Sequence, residues 1–199
     1  MKLDKPINII FAGVGGQGVL TASEALGRAS LCDGFDIKKS EVHGMAQRGG
    51  SVFSHVRFGS KVHSPLVPAG TADFLVAFEG LEALRQAHRL KPGGVIILNR
   101  LNIPPMPGGA AYPHDIEKML AGRDAEEAEV VAVPALELAG SAGDERAAGS
   151  ALLGALSGFL PLSPGSWRTA FQQMFRPGAA EANMAAFRLG RSWVSTALR

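Results

Sequence analysis

The chain alternates between short apolar runs and longer stretches in which apolar residues recur every three or four positions. The brief runs at residues 7–11, 74–78, 95–98 and 130–133 predict buried β-strands, because turn residues bound them. Residues 51–58 alternate, with Val52, Ser54, Val56 and Phe58 on one face, which predicts a further strand. Residues 35–39 are a candidate second strand, followed by a glycine-punctuated loop over residues 42–50.

Helical spacing separates the predicted strands. Residues 18–31, ending before Gly34, and residues 81–90 predict helices, and residues 115–120 predict a short one. This order predicts an α/β fold with a Rossmann-like, mostly parallel sheet and flanking helices. After residue 134 only helical patterns follow, at residues 135–139, 145–160, 166–175 and 180–198. We expect one domain over residues 1–199, with an α/β part (1–144) and a C-terminal helical segment (145–199).

Composition narrows the class of protein. The 199 residues are 46% hydrophobic and 19% charged, which is typical of a globular chain and excludes a mainly disordered one. The single cysteine, Cys32, cannot form an internal disulfide, an all-cysteine zinc site or a four-cysteine iron–sulfur cluster. The start of the chain is polar, and no apolar stretch approaches the roughly 20 residues of a membrane span. We expect a soluble, cytoplasmic protein.

Positive charge is concentrated in one part of the chain. The net charge of +2 is too small to indicate nucleic-acid binding. Residues 37–63, however, hold five lysines and arginines against Glu41 alone, a local charge of +4, together with three of the five histidines. This window predicts either a solvated basic edge or a surface for an anion or an acidic partner.

A glycine-rich loop follows the first predicted strand. Gly13, Gly15 and Gly18 form the pattern G-x-G-x-x-G between a strand and a helix, where glycines allow close backbone approach to a phosphate at the helix N-terminus. The alternative is a tight packing turn without a ligand. An ordinary NAD site has an acidic residue about 20 positions further on. That region holds Lys38 and Lys39, which suit a phosphate better than a ribose diol.

A second loop, residues 41–51, has a composition that neither helix nor strand formation requires. It offers the guanidinium of Arg48, the imidazole of His43 and the amide of Gln47 among three glycines. An arginine can bind phosphate or carboxylate through two parallel hydrogen bonds, although Arg48 could instead cap a carbonyl within the loop. The histidines have no metal-binding spacing, and we assign His43 no catalytic role.

Four segments carry a family resemblance: GVGGQGVLTAS, KKSEVHGMAQRGGSVFSHVRFG, ADFLVAFEGLEALR and KPGGVIILN. Together they resemble the gamma subunit or domain of the 2-oxoacid:ferredoxin oxidoreductases, and within that family the small subunit of the indolepyruvate enzymes. The resemblance covers residues 7–190, and EVHGMAQRGGSV is its most specific element. One departure is Gly149, where relatives often have asparagine.

The resemblance implies a division of labour between subunits. Such enzymes oxidatively decarboxylate a 2-oxoacid, pass electrons to ferredoxin and transfer the acyl group to coenzyme A. Thiamine diphosphate, Mg and the [4Fe-4S] clusters would lie in a large partner subunit, so that this chain alone binds no cofactor and is inactive. We expect no nucleic-acid or membrane partner. The implied binding or interface residues, none of them catalytic, are Gly13, Gly15, Gly16, Gln17, Gly18, His43, Gln47, Arg48, Gly49 and Gly50.

Other interpretations remain open from the residues alone. One is a stand-alone NAD(P)-binding dehydrogenase, and another is a non-enzymatic nucleotide-binding assembly module.

The aromatic residues near the end of the sequence also have two possible roles. Trp167, Phe171 and Phe175 share a helix face, and Phe187 and Trp193 follow in the last helix. They predict either packing of the terminal helices onto the sheet or a docking surface for the large subunit.

Overall fold

A computed structural model describes residues 3–43, 49–104, 111–121 and 128–197; the side chains of His43 and Ala197 are not described. The strands are β1 (Ile7–Val14), β2 (Asp36–His43), β3 (Ser51–Gly59), β4 (Ala72–Ala77), β5 (Leu90–Asn99) and β6 (Glu129–Val133). The helices are α1 (Val19–Cys32), α2 (Gly80–Gln86), α3 (Ile116–Ala121), α4 (Ala135–Ser141), α5 (Ala148–Ser157), α6 (Pro164–Met174) and α7 (Pro177–Ala197). Single 3-10 turns, Ala87–Arg89 and Glu145–Ala147, precede β5 and α5.

The six strands form one sheet in the order β2-β3-β1-β4-β5-β6. Strands β1, β4, β5 and β6 are parallel neighbours, whereas β3 runs antiparallel to both β1 and β2. The prediction of a mostly parallel α/β sheet is therefore confirmed. Strand β3 is the exception because it follows β2 through a short loop, and a short connection joins antiparallel strands.

Helices cover both faces of the sheet. In β1, Ile9 and Phe11 belong to the larger core, which includes residues of α1 and of α4–α7. Their neighbours Ile10 and Ala12 belong to the second core, which includes residues of α2 and α3. Because both faces are buried, β1 is a continuous apolar run rather than an alternating one. Strand β3 has the predicted buried face, with Val52, Ser54, Val56 and Phe58 all under 8% exposed.

Several element boundaries differ from the sequence prediction, and those of β2 and of α2 with β5 have a clear cause. Strand β2 continues past residue 39 to His43, because its added residues pair with β3 as far as His43 opposite Val52. Helix α2 ends at Gln86, and β5 begins at Leu90 rather than after the Lys-Pro-Gly-Gly segment. That segment forms an irregularity in the β4–β5 ladder, where the register passes from Ala72 opposite Leu90 to Phe74 opposite Val95.

The C-terminal helices pack onto the larger core through aromatic side chains. Trp167, Phe171 and Phe187 are at most 1% exposed, and the rings of Trp167 and Phe187 lie 5.0 Å apart. Packing is therefore the correct interpretation for these three. Phe175 and Trp193 are only partly buried, and Trp193 Nε1 donates to the carbonyl of Ala132 at 3.1 Å. Among the helices of the described residues, none combines the length and hydropathy that crossing a membrane would need.

Candidate functional site

The sheet has a topological switch point between β1 and β4. From β1 the chain passes through α1 towards β2, whereas from β4 it passes through α2 in the opposite direction to β5. The two helices cover opposite faces of the sheet, so the loops after β1 and β4 separate at the carboxyl edge and leave a crevice. Ligands of open α/β sheets bind in such crevices. The predicted glycine loop, residues 13–18, lies at this position.

The glycines of this loop meet two different steric requirements. A Cβ on Gly13 would lie 2.7–2.8 Å from atoms of Val19, Gln17 and Phe78, so this residue permits close packing of strand, helix and the β4 end. Gly16 and Gly18 have φ values of +103° and +85°, which other residues adopt only with strain. Space beside them is open, since a Cβ on either would meet no described atom within 4 Å.

The N-terminus of α1 faces this open space. Gly18 is its N-cap residue, and within the described part of the chain no side chain caps it. The first amides of a helix have no partner within the helix, and the helix dipole makes this end electropositive. The 14-residue helix therefore presents backbone donors to an anion beside Gly16 and Gly18.

Two side-chain amides tie the strand ends together beneath the loop. Gln17 Oε1 accepts from the amide of Val14 at 2.6 Å, and Gln17 Nε2 donates to the carbonyl of Phe78 at 3.2 Å. Asn99 Nδ2 donates to the same carbonyl at 3.1 Å, and Asn99 Oδ1 accepts from the amide of Ala135 at 3.3 Å. The ends of β1, β4 and β5 and the start of α4 are thus linked. In this arrangement the Gln17 amide holds the loop rather than being free for a ligand.

The last residues of the second loop, Gly49 and Gly50, lie against the glycine loop. The amide of Gly15 donates to the carbonyl of Gly50 at 2.8 Å, and the amide of Gly49 donates to the carbonyl of Gly15 at 3.5 Å. Gly49 has a φ of +76°. The structure therefore brings Gly49 and Gly50 to the glycine loop. Gln47, Arg48 and the His43 side chain lie outside what the structure describes.

A buried carboxylate lies next to the crevice, directly after Phe78. Glu79, 1% exposed, follows β4 and caps α2 by accepting from the amide of Glu82 at 2.9 Å. It also accepts from the amide of Ile103 at 3.1 Å and from the hydroxyl of Tyr112. Burial, together with this carboxylate, raises the pKa of Tyr112 well above its usual value. Tyr112 therefore stays a neutral donor, and the segments around Ile103 and Tyr112 are held against α2.

Three clefts meet at the glycine loop. The crevice itself has a volume of 340 Å³ and is bounded by the loop, Phe78, Asn99, Leu136 and Arg146. A second cleft of 330 Å³ extends from Gly18 along α1 towards α5, α6 and α7. A third, of 460 Å³, lies between the loop and Val52 of β3. Together they offer room on both sides of the α1 N-terminus for a molecule of nucleotide size.

Arg146 is the cation that borders two of these clefts. Its guanidinium is largely exposed and binds Asp144 through paired contacts of 2.9 Å, from Nε to Oδ1 and from Nη2 to Oδ2. Sequence analysis missed Arg146, because its pattern is that of any helical surface residue. Gly149 also borders the second cleft, and a Cβ there would lie 3.1 Å from the Phe78 ring. An asparagine at this position would require the Phe78 ring to shift.

The two lysines proposed for a phosphate do not reach this site. Lys39 Nζ binds Glu24 of α1 at 2.9 Å and Glu41 at 2.8 Å, while Lys38 binds Asp36 at 3.3 Å. Burial opposes the charge of Lys39, but its two carboxylate partners raise its pKa. Moreover, β3 separates β2 from β1. These lysines therefore neutralise neighbouring carboxylates at the sheet edge, and this part of the basic window is not an anion site.

Metal ligands are not grouped in the described ranges. No three histidine, cysteine, aspartate or glutamate side chains there are placed so that they could hold a metal ion. Of the three histidines in the basic window, His55 is 4% exposed, and its Nδ1 accepts from the amide of Val67 at 3.1 Å. This hydrogen bond joins the imidazole to the segment after β3.

Comparison with other proteins gives matches over nearly the whole chain. The family model "Pyruvate ferredoxin/flavodoxin oxidoreductase" matches residues 8–193. Indolepyruvate oxidoreductase subunit IorB of Pyrococcus horikoshii is 41% identical over 192 residues, which is 94% of this chain and 95% of that one. The ketoisovalerate oxidoreductase subunit VorA of Methanothermobacter marburgensis is 29% identical, and there the match spans 95% of this chain but only 37% of VorA.

Solved structures share the fold. The gamma subunit of a keto/oxoacid ferredoxin oxidoreductase from Geobacter sulfurreducens superposes with a TM-score of 0.73 at 22% identity, covering 96% of this chain and 99% of that one. A 2-oxoglutarate:ferredoxin oxidoreductase from Magnetococcus marinus, solved with 2-oxoglutarate, coenzyme A and succinyl-CoA bound, gives a TM-score of 0.76 at 22% identity. The match covers 98% of this chain and 32% of that one. The chain belongs to the pyruvate ferredoxin/flavodoxin oxidoreductase family, as the motifs of its two loops predict.

Proposed function

We propose that this chain is the small subunit of a 2-oxoacid ferredoxin oxidoreductase that acts on indolepyruvate or another aryl pyruvate. The observation that carries the proposal is the match to indolepyruvate oxidoreductase subunits, 41% identical over nearly the full length of both chains. The small subunit would complete a complex whose large subunit supplies thiamine diphosphate, Mg and iron–sulfur clusters and passes electrons to ferredoxin. A single cysteine in the sequence agrees with this, because a cluster needs several thiolates.

The site geometry suits a role on the coenzyme A side of the complex. Coenzyme A carries phosphates, and the uncapped N-terminus of α1 offers amide donors and a positive dipole end for one of them. Arg146 would leave Asp144 and bind two oxygens of a second phosphate, since a guanidinium binds phosphate as it binds a carboxylate. The apolar walls of the second cleft, Leu153 and Phe171, would cover uncharged parts of the molecule. Coenzyme A supplies the thiol that accepts the acyl group.

Purification of the tagged chain from its native host, with identification of co-purifying chains, tests the subunit role. We expect a large partner that carries thiamine diphosphate and iron–sulfur clusters, and the reconstituted pair should oxidise indolepyruvate in a coenzyme A-dependent reaction. The isolated chain should be colourless and contain no thiamine diphosphate. An iron–sulfur spectrum from the isolated chain, or full activity without any partner, would contradict the proposal.

The stand-alone dehydrogenase is disfavoured by the strand order. In an ordinary dinucleotide site the strand next to β1 ends in the acidic residue that binds the ribose. Here β3 takes that position and runs antiparallel, so that its first residues, Ser51 and Val52, lie beside the glycine loop. Titration of the isolated chain with NADH and NADPH decides the matter. We expect no saturable binding at micromolar concentrations, and tight binding of either nucleotide would favour the dehydrogenase.

A further inference from the structure

One buried carboxylate near the candidate site has no part in the interactions described so far. Glu82 lies in the first turn of α2, and its side chain is 2% exposed. Its Oε2 accepts from the hydroxyl of Ser51 at 2.6 Å, and its Oε1 accepts from the guanidinium of Arg85. The carboxylate thus reaches from the helix after β4 to the first residue of β3, across the end of β1.

Ser51 directly follows the two glycines that pair with the glycine loop. It lies opposite Val14 in the β1–β3 ladder, and the next contacts outward join Gly15 to Gly50 and Gly49. The ladder ends there, where the strands become loops. A side-chain anchor at Ser51 therefore restricts how far Gly49 and Gly50 can move from Gly15. We name residues 15–18 together with residues 49–51 the loop junction.

Burial of the Glu82 carboxylate costs free energy, and a role in positioning Ser51 would explain why a carboxylate lies here. A buried carboxylate loses its hydration, and packing alone would be met by an apolar side chain of similar volume. A hydrogen bond to a charged acceptor is shorter, stronger and more directional than one between neutral groups. Arg85, whose side chain is about half exposed, balances the charge from the solvent side. The Ser51 hydroxyl is thereby held in one orientation.

We propose that Glu82 is a positioning residue: it holds Ser51 so that Gly49 and Gly50 stay paired with the glycine loop in the geometry that binds coenzyme A or the large subunit. This inference rests on the proposed function, because its test measures coenzyme A binding and association with the large subunit. Glu82 touches neither ligand nor reacting atoms in this scheme. Its effect passes through Ser51 and the backbone of Gly49 and Gly50 to the amides beside Gly15.

The test combines two measurements on Glu82→Ala, Glu82→Gln, Ser51→Ala and Ser51→Thr. The first is amide hydrogen exchange of the loop junction in the isolated chain. The second is the KM for coenzyme A, kcat, and the dissociation constant for the large subunit in the reconstituted complex. Glu82→Ala and Ser51→Ala should speed amide exchange at the loop junction. They should also raise the KM for coenzyme A or the dissociation constant for the large subunit roughly tenfold or more, because one charge-assisted hydrogen bond is lost. The kcat should change little. Ser51→Thr keeps the hydroxyl, so both readouts should stay at the values of the unsubstituted chain.

Asp33→Ala is the matched control. Asp33 also accepts from two serine hydroxyls, of Ser163 at 2.9 Å and of Ser166 at 2.6 Å, but it joins the C-terminus of α1 to α6, away from the loop junction. It should lower stability without changing either readout. If Glu82→Ala does not fold, Ser51→Ala and Ser51→Thr decide the question, since they remove or keep a single hydroxyl.

The outcomes separate this inference from the proposed function. Unchanged exchange at the loop junction in Glu82→Ala and Ser51→Ala, or faster exchange with unchanged KM for coenzyme A and unchanged association with the large subunit, overturns the positioning role. Gly18→Val is assayed in parallel, because it places a Cβ and backbone strain in the glycine loop itself. If Gly18→Val also leaves the KM and association unchanged, the proposed role of the glycine loop on the coenzyme A side fails. If only Gly18→Val has an effect, Glu82 is structural and the proposed function stands.

Discussion

At the scale of single residues, the glycine loop depends on backbone conformations that few residues can adopt. Gly18 has a φ of +85°, and it is also the residue from which α1 begins. Asparagine tolerates this conformation far better than a β-branched residue does. The two substitutions therefore separate backbone strain from simple obstruction by a side chain.

We expect Gly18→Val to lower the free energy of unfolding by about 1–2 kcal/mol, and Gly18→Asn to lower it by less. Both should impair the coenzyme A-dependent activity of the reconstituted complex, because both place a side chain in the open space before α1. Urea unfolding and steady-state kinetics measure the two effects. Full activity of Gly18→Asn would indicate that the loop is a packing turn and that no ligand approaches it.

His55 makes stability depend on pH. Burial, with a smaller effect of Arg89, lowers the pKa of His55, and its Nδ1 must be unprotonated to accept from Val67. The unfolded chain then binds the proton more readily than the folded one, so stability falls as pH drops below the ordinary value of about 6.5. The loss ends once pH has passed the lower folded pKa.

His55→Leu should therefore flatten the dependence of unfolding free energy on pH between about 7 and 5. At neutral pH the same variant should cost about 1–3 kcal/mol, because it leaves the buried amide of Val67 without an acceptor. Urea unfolding at several pH values gives both quantities. His63→Leu is the control, since His63 is exposed. An unchanged slope in His55→Leu would show that other groups set the pH dependence.

At the scale of elements, α5 and α7 approach each other at two glycines. A Cβ on Gly154 would lie 2.0 Å from the carbonyl oxygen of Phe187, and a Cβ on Gly190 would lie 1.9 Å from that of Ala151. Both obstacles are backbone atoms, which cannot rotate away. The small residues therefore set the distance between these helices and, through it, the burial of the aromatic cluster.

Gly154→Ala and Gly190→Ala should each destabilise the chain by roughly 3 kcal/mol, because the helices must separate. Gly178→Ala is the matched control in α7, where a Cβ would meet no described atom within 4 Å. It should be neutral or stabilise by about 0.5–1 kcal/mol through helix propensity. Thermal melts of the three variants test this. Equal melting temperatures would show that the helices tolerate a wider spacing.

The elements differ in how far the sequence alone could predict them. The strand, glycine turn and start of α1 follow from local patterns, because periodicity and turn chemistry lie within one short segment. The orientation of β3 and the position of its hairpin between β1 and the sheet edge depend on pairing partners that no local pattern specifies. Arg146 and Asn99 reach the crevice only through the order of the strands, so their residue types alone gave no signal.

At the scale of the whole molecule, the helical C-terminal part completes the larger core. Trp167, Phe171 and Phe187 belong to the same buried cluster as Phe11 and Val76 of the central strands. A fragment of residues 1–144 would expose that face of the sheet to water. We expect it to show no cooperative unfolding transition, because it lacks the apolar surface that should cover β1 and β4.

Circular dichroism and thermal melts of this fragment, beside the full chain, test the prediction of one domain. A sigmoidal melt of the fragment alone would mean that the α/β part is a domain in its own right. Addition of the separate C-terminal segment should restore cooperative melting if the two parts share one core.

The place of β3 between β1 and β2 also bears on how the site forms during folding. Strands β2 and β3 are neighbours in sequence and pair along their whole length, so their hairpin has mostly local contacts and can form early. It must then dock on β1 as a unit, because β3 is the hairpin strand that pairs with β1. The pairing of Gly15 with Gly49 and Gly50 is completed by this same docking event. Mutations that weaken the β1–β3 interface should therefore delay the gain of binding competence relative to the gain of helical signal in refolding kinetics.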